Sequence, residues 1–418
     1  MKTELNGWDL LTWRLAFEDK GIVPLVGAQL SLQGHVDRDE IIHSIKVMLS
    51  NVDILNYSLS QEEFPTVRKI EDVDVNQCVQ VLHNQTNPAD QALCTAIAQF
   101  SMAEYRPDLP LWRVYVVYKT DETLLFTFLH HAIADGRTAL EMILRLCDAP
   151  IPNTKKRQLG EKSTFQELVG DVFRQPLNVL SQLTSTLGSF SSLISLQPQH
   201  TLTKFSERSH RNCAIQFSIS RHAMKNRAGD LGVSIHDLSV ALSLQIIQDL
   251  EKTQSSEQIR INVPVLNTDL DTLNEVLIAR IWLERLGFDN TAQQYRERFK
   301  AWTKEPALSF APAALNALAT VQQLDATSFA SHSDVTISSL PAMSDVLRLK
   351  NHTVMGIWPL VPTMGSAFNF TSIGYGDQHY FSCTYDSALG IDDNELRSLI
   401  RNLVTRHFSV DCQFETTL

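Results

Sequence analysis

The chain has 418 residues, of which 44% are hydrophobic and 20% are charged, a balance that is typical of folded proteins and excludes a disordered chain. The net charge is -11 and no basic stripe is present, so nucleic acid is excluded as a partner because a polyanion would be repelled. The six cysteines show neither a CxxC pair nor the spacing of zinc ligands, so we expect free thiols, a reducing cytoplasm and no metal site.

No targeting or membrane-spanning pattern is found in the sequence. The first residues, Met1–Asn6, lack the charged and apolar stretches of a secretory signal. No uninterrupted apolar run approaches the roughly 18 residues that span a bilayer. We therefore expect a cytoplasmic protein, and we take it to be a monomer.

The N-terminal part of the sequence alternates strand and helix patterns. Val23–Leu32 and Leu111–Tyr118 have the composition of strands, and Thr123–His131 is a third strand candidate. Asp39–Leu49 carries apolar residues at helical spacing. This alternation predicts a mixed α/β unit.

Two polar stretches, at 148–164 and 197–211, divide the chain. They predict an N-terminal subdomain over 1–165, a helical bridge over 166–205 and a C-terminal subdomain over 206–418. Within the bridge, Leu177–Leu196 has apolar residues at helical spacing. A helix packed on the protein is favoured over a membrane-surface or acyl-chain contact, because the segment lacks the Lys/Arg-rich face of interfacial helices.

The C-terminal part repeats the alternation of strands and helices. One helix opens with Ser234-x-x-Asp237, a capping-box pattern. The predicted elements are strands at Ala214–Ile219, Ile259–Val265 and Val276–Leu283, a hairpin of Ala367–Ile373 with Gln378–Tyr385, and helices at Ser234–Leu250 and Asp393–Arg406.

The strongest motif is the run His130-His131-Ala132-Ile133-Ala134-Asp135-Gly136. It follows a strand, so the two adjacent histidines point to opposite faces and only one of them enters the core. Asp135 has the residue type and position to cap the next helix. We interpret His130 as a core histidine and His131 as a residue that reaches a cleft.

A strand end beside a helix N-terminus suits a general base. The partial positive charge of the helix end disfavours the imidazolium form of His131. A neutral imidazole accepts the proton of a hydroxyl group that attacks a carbonyl. The sequence contains no GxGxxG at a strand–helix turn, no Walker A motif, no GxSxG elbow and no HExxH, so no other chemistry competes.

This HHxxxDG motif resembles that of a superfamily containing chloramphenicol acetyltransferase, plant BAHD acyltransferases, peptide-synthetase condensation domains, wax-ester synthase/diacylglycerol acyltransferases and mycobacterial polyketide-lipid acyltransferases. Four further segments resemble wax-ester synthase motifs in order, with His236 where an Asn is expected: Pro110–Arg113, Val233–Asp237, Asn262–Val265 and Ile337–Pro341. The chain length is closer to stand-alone polyketide-alcohol acyltransferases. The resemblance implies two chloramphenicol-acetyltransferase-like mixed-sheet α/β subdomains that meet at a central channel.

The resemblance also implies roles for single residues. Asp135, with Gly136 part of the catalytic motif, would hold the loop by pairing with an arginine; Arg14 is our candidate and Arg137 its local competitor. An oxyanion would be stabilised by Ser338, Ser339 or Asn369, although simple strand polarity is the alternative for each.

The resemblance implies acyl transfer from a thioester to an alcohol, which forms an ester. The thioester, an acyl-CoA or an acyl-carrier phosphopantetheine, is a co-substrate, and no bound cofactor is expected. Amide formation on an amine acceptor and a non-catalytic binding module remain as alternatives. We expect a hydrophobic acyl chain to contact the bridge and an aromatic and Met cluster, whose alternative role is to fill the core: Met355, Trp358, Met364, Phe368 and Phe370.

Overall fold

The computed structural model describes residues 5, 7–18, 22–83, 87–149, 209, 211–251, 257–266, 276–304 and 334–415. Two mixed sheets, each covered by helices, dominate these residues. The predicted fold of two mixed-sheet subdomains is confirmed. The predicted bridge helix, Leu177–Leu196, lies outside the described residues.

The first sheet has six strands, which pair in the order β11 (Arg348–Leu349), β12 (His352–Leu360), β1 (Leu25–Gln33), β6 (Glu122–His130), β5 (Trp112–Tyr118) and β4 (Val79–Val81). A separate two-stranded ribbon is formed by β2 (Tyr57–Leu59) and β3 (Val67–Lys69). The N-terminal half comprises α1 (Gly7–Glu18), β1 (Leu25–Gln33), α2 (Arg38–Leu49), β2 (Tyr57–Leu59), β3 (Val67–Lys69), α3 (Val75–Cys78), β4 (Val79–Val81), α4 (Pro88–Phe100), β5 (Trp112–Tyr118), β6 (Glu122–His130) and α5 (Gly136–Leu146).

The second sheet has seven strands, which pair in the order β15 (Gln413–Phe414), β7 (Asn212–Ser220), β14 (Gln378–Asp386), β13 (Phe368–Tyr375), β10 (Val335–Met343), β8 (Gln258–Leu266) and β9 (Val276–Glu284). The C-terminal half comprises β7 (Asn212–Ser220), α6 (Arg221–Leu231), α7 (Ile235–Leu250), β8 (Gln258–Leu266), β9 (Val276–Glu284), α8 (Phe288–Trp302), β10 (Val335–Met343), β11 (Arg348–Leu349), β12 (His352–Leu360), β13 (Phe368–Tyr375), β14 (Gln378–Asp386), α9 (Asp393–Phe408) and β15 (Gln413–Phe414).

One strand pair crosses from the C-terminal half into the first sheet. Strand β12 pairs antiparallel with β1, with Gly27 opposite Leu360, while the next strand, β13, pairs within the second sheet. The division of the sequence at residue 206 therefore does not separate the two sheets. Consecutive strands of one chain segment join the sheets at the place where the two halves meet.

The local sequence signals explain where several elements begin and turn. At the start of α7 the capping box is present, since Asp237 N–H donates to Ser234 Oγ (3.2 Å) and Ser234 N–H donates to Asp237 Oδ2 (2.7 Å). The β13–β14 hairpin is also present, and its turn uses Gly376 at a φ of +56°, which favours glycine. These two predictions are confirmed.

Each half has its own hydrophobic core. The N-terminal core packs around β1, β5 and β6, and the C-terminal core packs around α7, β8 and β13. Among the described helices none is by itself long and apolar enough to cross a membrane; α6 and α7, bent by 96° from each other, reach that length and composition only together.

Candidate active site

A cavity lies between the two sheets, and both halves of the chain line it. Its volume is about 140 Å³, which is room for several water molecules or part of an organic ligand. Its wall is mostly apolar, and the polar members are Thr12, His131, Asn262, Arg280, Thr336, Ser338, Asn369 and Thr371.

The two adjacent histidines have different surroundings, as the strand alternation predicts. His130 is fully buried between Trp13 and Phe100, with ring centroids 5.2 and 6.0 Å away. Its Nδ1 accepts the N–H of Ala132 at 3.1 Å. Burial, with a smaller effect of His131, lowers the pKa of His130 to about 3. His130 is therefore a neutral core residue.

His131 is the histidine that lines the cavity. It follows the last residue of β6, and its backbone N–H donates to the carbonyl of Pro24 at 2.9 Å. The helix α5 begins five residues later, so the positive end of its dipole lies near the imidazole. The structure thus puts this side chain at the boundary between the two sheets.

Asp135 and Gly136 fix the beginning of α5. The Asp135 carboxylate accepts the backbone N–H of Thr138 at 2.8 Å and its hydroxyl at 3.1 Å, which makes Asp135 the N-cap. Gly136 lies against the other half of the chain, since a Cβ there would come within 3.0 Å of Leu340 Cδ2. A glycine at this position lets β10 approach the motif loop.

Arg14, the candidate partner of Asp135, is 2% exposed and forms an ion pair with Glu63 at 3.1 Å. Its guanidinium also lies over the Phe64 ring, 5.3 Å from the centroid. These contacts occupy part of the guanidinium, and the pairing of Arg14 with Asp135 stays a prediction.

The three oxyanion candidates are not equivalent. Ser338 lines the cavity, whereas Ser339, the next residue of β10, points to the opposite face. There the hydroxyl of Ser339 is hydrogen-bonded to His236 Nδ1 (2.8 Å) and to the Ser372 hydroxyl (2.9 Å). Ser339 is therefore wrong as an oxyanion candidate, because successive side chains of a strand face opposite sides.

Asn369 does line the cavity, but one of the two N–H groups of its side-chain amide is already used. Its Nδ2 donates to the carbonyl of Pro362 at 3.2 Å. Reversing the amide would put two acceptors face to face, so the observed orientation is the favoured one. Ser338 is the one of the three candidates that both reaches the cavity and carries a hydroxyl donor.

His236, which stands where the wax-ester synthase motif has Asn, belongs to a polar cluster outside the cavity. Its Nε2 is hydrogen-bonded to the Tyr295 hydroxyl at 2.8 Å, while its Nδ1 is bonded to Ser339. The cluster joins α7, α8 and β10. The cluster holds β10 from one face, and the other face of the same strand presents Ser338 to the cavity.

A row of polar residues crosses the cavity face of the second sheet, and of its four members Asn369 alone is among the site residues predicted from the sequence. Arg280, Asn262, Thr336 and Asn369 are successive Cα partners across β9, β8, β10 and β13. Asn262 belongs to one of the strand segments that resemble the wax-ester synthase motifs. Its neighbours in the row, however, are set by the pairing register of distant strands. Together they form one polar stripe in the cavity wall.

Most of the aromatic and Met cluster that we expected to contact an acyl chain lies outside the cavity. Phe368 and Phe370 point away from the cavity into the C-terminal core, and Met355 is 55% exposed. Of that cluster, Met364 lines the cavity. The apolar wall is instead formed by Leu11, Leu15, Val26, Ala139, Leu140, Ile143, Ile278, Leu340, Ile357, Val361 and Ile373.

Residues 284–403 match the family model described as the WS/DGAT C-terminal domain. No curated protein matches the chain. The chain shares its fold with the wax ester synthase/diacylglycerol acyltransferase from Marinobacter aquaeolei VT8, at 18% identity and a TM-score of 0.58, covering 97% of this chain and 100% of that one.

Two condensation domains show the same fold. The first condensation domain of the calcium-dependent antibiotic synthetase, in complex with a substrate analogue, has a TM-score of 0.62 at 11% identity, with 100% and 99% of the two chains covered. The starter condensation domain of rhizomide synthetase, in complex with C8-CoA and Leu-SNAC, has a TM-score of 0.58 at 9% identity, with 97% and 94% covered. At these identities the likeness shows that the chains share a fold.

Proposed function

We propose, from a chain that has the fold of wax ester synthases and condensation domains, that it transfers an acyl group from a thioester to an alcohol to form an ester. The observation that carries the proposal is His131, which lines a cavity between the two sheets beside the N-terminus of α5. A base in such a cavity can meet two substrates that enter from different sides.

In the proposed reaction the acceptor O–H gives its proton to His131 as its oxygen attacks the thioester carbonyl carbon. The tetrahedral oxyanion that forms accepts a hydrogen bond from the Ser338 hydroxyl. The intermediate collapses, the C–S bond breaks, and the protonated His131 gives its proton to the leaving thiolate. An ester and a free thiol result, without a covalent enzyme intermediate.

The proposed role requires the neutral form of the His131 imidazole. The α5 N-terminus bears partial positive charge, which opposes a second positive charge on the imidazole. An acyl chain bound against the mostly apolar wall would displace water from the cavity, so the proton would pass between substrate and enzyme.

The donor in this proposal is an acyl-CoA or an acyl-carrier phosphopantetheine. Support comes from the rhizomide synthetase domain, whose structure contains C8-CoA. The same complex holds Leu-SNAC, an aminoacyl thioester, and this favours amide formation as the second candidate function. The two candidates share His131 as the base and differ only in the acceptor.

The decisive experiment follows thiol release from acyl-CoA and from acyl-carrier substrates, each with matched alcohols and amines of equal chain length. We expect release with alcohols, and His131→Ala should lower kcat by about 10²–10⁴, the usual contribution of a general base. His222→Ala, at an exposed position on α6, is the control and should keep full activity. A loss below tenfold in His131→Ala would refute the assignment, and faster release with amines would establish the second candidate.

A further inference from the structure

The polar stripe on the second sheet has unmet hydrogen-bonding capacity that the proposed acyl transfer does not use. Asn262 Oδ1 and Asn369 Oδ1 are buried and have no hydrogen-bond partner among the residues that the structure describes. Their side chains are 8% and 2% exposed, and both line the cavity. A buried acceptor without a donor costs free energy, so such atoms commonly mark a place where a ligand supplies the donor.

Arg280 adds a positive charge to the same wall. Burial first, and repulsion from Arg260 second, lower its pKa to about 10. Arg260 is 4% exposed and lies two residues before Asn262 on the same face of β8. Burial lowers the pKa of Arg260, and the nearby charge of Asp334 opposes this shift. The guanidinium of Arg280 lines the cavity, and its N–H groups have the fork geometry that binds a carboxylate or a phosphate.

We infer that the cavity binds an anionic group of a substrate at Arg280, with Asn262 Oδ1 and Asn369 Oδ1 accepting hydrogen bonds from N–H or O–H groups of the same molecule. The inference rests on the proposed function and narrows its substrates to anionic ones. The shared chemistry is a carboxylate or a phosphate held by a guanidinium. It fits a phosphate on the thioester carrier or a carboxylate on the acceptor.

A binding measurement distinguishes a phosphate on the thioester carrier from a carboxylate on the acceptor, and it does not depend on turnover. The dissociation constant is measured by calorimetry for 4'-phosphopantetheine against pantetheine, and for 6-hydroxyhexanoate against 1,6-hexanediol. Each pair has the same chain and differs in one anionic group. The protein is the full chain, and His131→Ala is measured beside it, so that binding without catalysis is recorded.

We expect the charged member of one pair to bind about 10- to 100-fold more tightly, as a charge-assisted hydrogen bond predicts. A preference in the first pair assigns the anion to the carrier, and a preference in the second pair assigns it to the acceptor. Arg280→Gln should remove the preference, and Arg280→Lys should keep part of it. The exposed Arg348 on β11 supplies the control, Arg348→Gln, which should keep all of it.

We expect Asn262→Leu and Asn369→Leu each to lower the affinity for the preferred probe several-fold. The ratio of the affinities for the charged and the uncharged member of the pair should stay the same. Equal affinity within both pairs would overturn the inference, as would a preference that survives in Arg280→Gln. Either result leaves acyl transfer by His131 untouched, since that is measured separately through thiol release.

Discussion

At the residue scale, the motif works because one strand position separates two chemically identical side chains. His130 meets Trp13, Phe100 and a backbone N–H, which keep it neutral and buried. His131, one residue on, faces the cavity. The first side chain packs in the core, and the second lines the cavity.

Asp135 caps the beginning of α5 and thereby also anchors the motif loop. Replacing it by Ala removes the acceptor for Thr138, so we expect the free energy of unfolding to fall by about 1 kcal/mol or more. Activity should fall in parallel, because the loop that carries His131 loses its anchor. Urea unfolding and kcat are the measurements.

The control for this prediction is Asp135→Asn, which keeps the capping oxygen and removes the charge. It should retain most of the stability, and any further loss of activity then measures the charge of Asp135. An unchanged melting temperature in Asp135→Ala together with lost activity would contradict the capping role and indicate a direct catalytic one.

The residues that could be predicted from the sequence are those whose neighbours are close in the chain. His131, Asp135 and the Ser234 capping box depend on contacts within a few residues. Ser338 could not be separated from Ser339, because the two neighbours carry the same side chain on one strand. Arg280 could not be recognised, because its neighbours in the cavity wall are set by the pairing register of distant strands.

At the element scale, β1 depends on one glycine for its pairing with β6. A Cβ on Gly27 would stand 1.9 Å from the carbonyl oxygen of Thr127, a backbone atom that cannot rotate away. Gly27→Ala should therefore lower the free energy of unfolding by about 1–3 kcal/mol or more. It should also reduce activity, since Gly27 lines the cavity.

Gly229→Ala on α6 is the matched control for Gly27→Ala. Nothing lies within 4 Å of a Cβ at Gly229. This substitution should leave stability unchanged or raise it by about 0.4–1 kcal/mol, because alanine restricts the unfolded chain. Equal melting temperatures for the two variants would contradict this prediction, because they would mean that β1 and β6 can move apart without a loss in the free energy of unfolding.

The crossing strand β12 has no counterpart among the elements predicted from the sequence. Its partners on β1 lie more than 300 residues away, with Gly27 opposite Leu360, and no local pattern specifies which sheet a strand joins. The family resemblance implies two subdomains that meet at a central channel, but it does not identify the strand that joins their sheets there.

At the scale of the whole molecule, Asp90 joins the two halves and makes their contact sensitive to pH. Its carboxylate on α4 accepts the backbone N–H of Ala214 on β7 at 2.6 Å. Burial raises its pKa from 3.8 to about 7, with the Ala214 hydrogen bond opposing and Asp393 reinforcing the shift. The folded chain therefore binds this proton more tightly than the unfolded chain does.

A carboxyl with a raised folded pKa stabilises the protein fully below about pH 4, and that stability is lost as the pH rises through about 7. The free energy of unfolding should fall with a slope of up to about 1.4 kcal/mol per pH unit in that range. Asp90→Asn, which keeps the acceptor, should flatten the slope, whereas Asp345→Asn at an exposed position should not. Identical slopes in wild type and Asp90→Asn, measured by urea unfolding from pH 4 to pH 8, would contradict this.

The apolar wall that both halves contribute determines which acyl chains the proposed reaction accepts. Leu15 and Ile143 from the N-terminal half and Ile373 from the C-terminal half line the same cavity. Each buried methylene contributes about 0.8 kcal/mol, or about a fourfold change in kcat/KM. We expect kcat/KM to rise along a series of thioesters from acetyl towards dodecanoyl.

Two variants separate a lined cavity from a simple core. Ile143→Phe adds volume inside the cavity wall and should shift the best substrate to a shorter chain. Phe370→Leu removes volume from the C-terminal core, which lies on the other face of β13, so it should lower the melting temperature and leave the chain-length profile unchanged. A profile that is flat, or that peaks at acetyl in the wild type, would show that the cavity does not hold the acyl chain. A profile that moves with Phe370→Leu but not with Ile143→Phe would return that role to the aromatic cluster, because only residues in contact with the chain can change its selectivity.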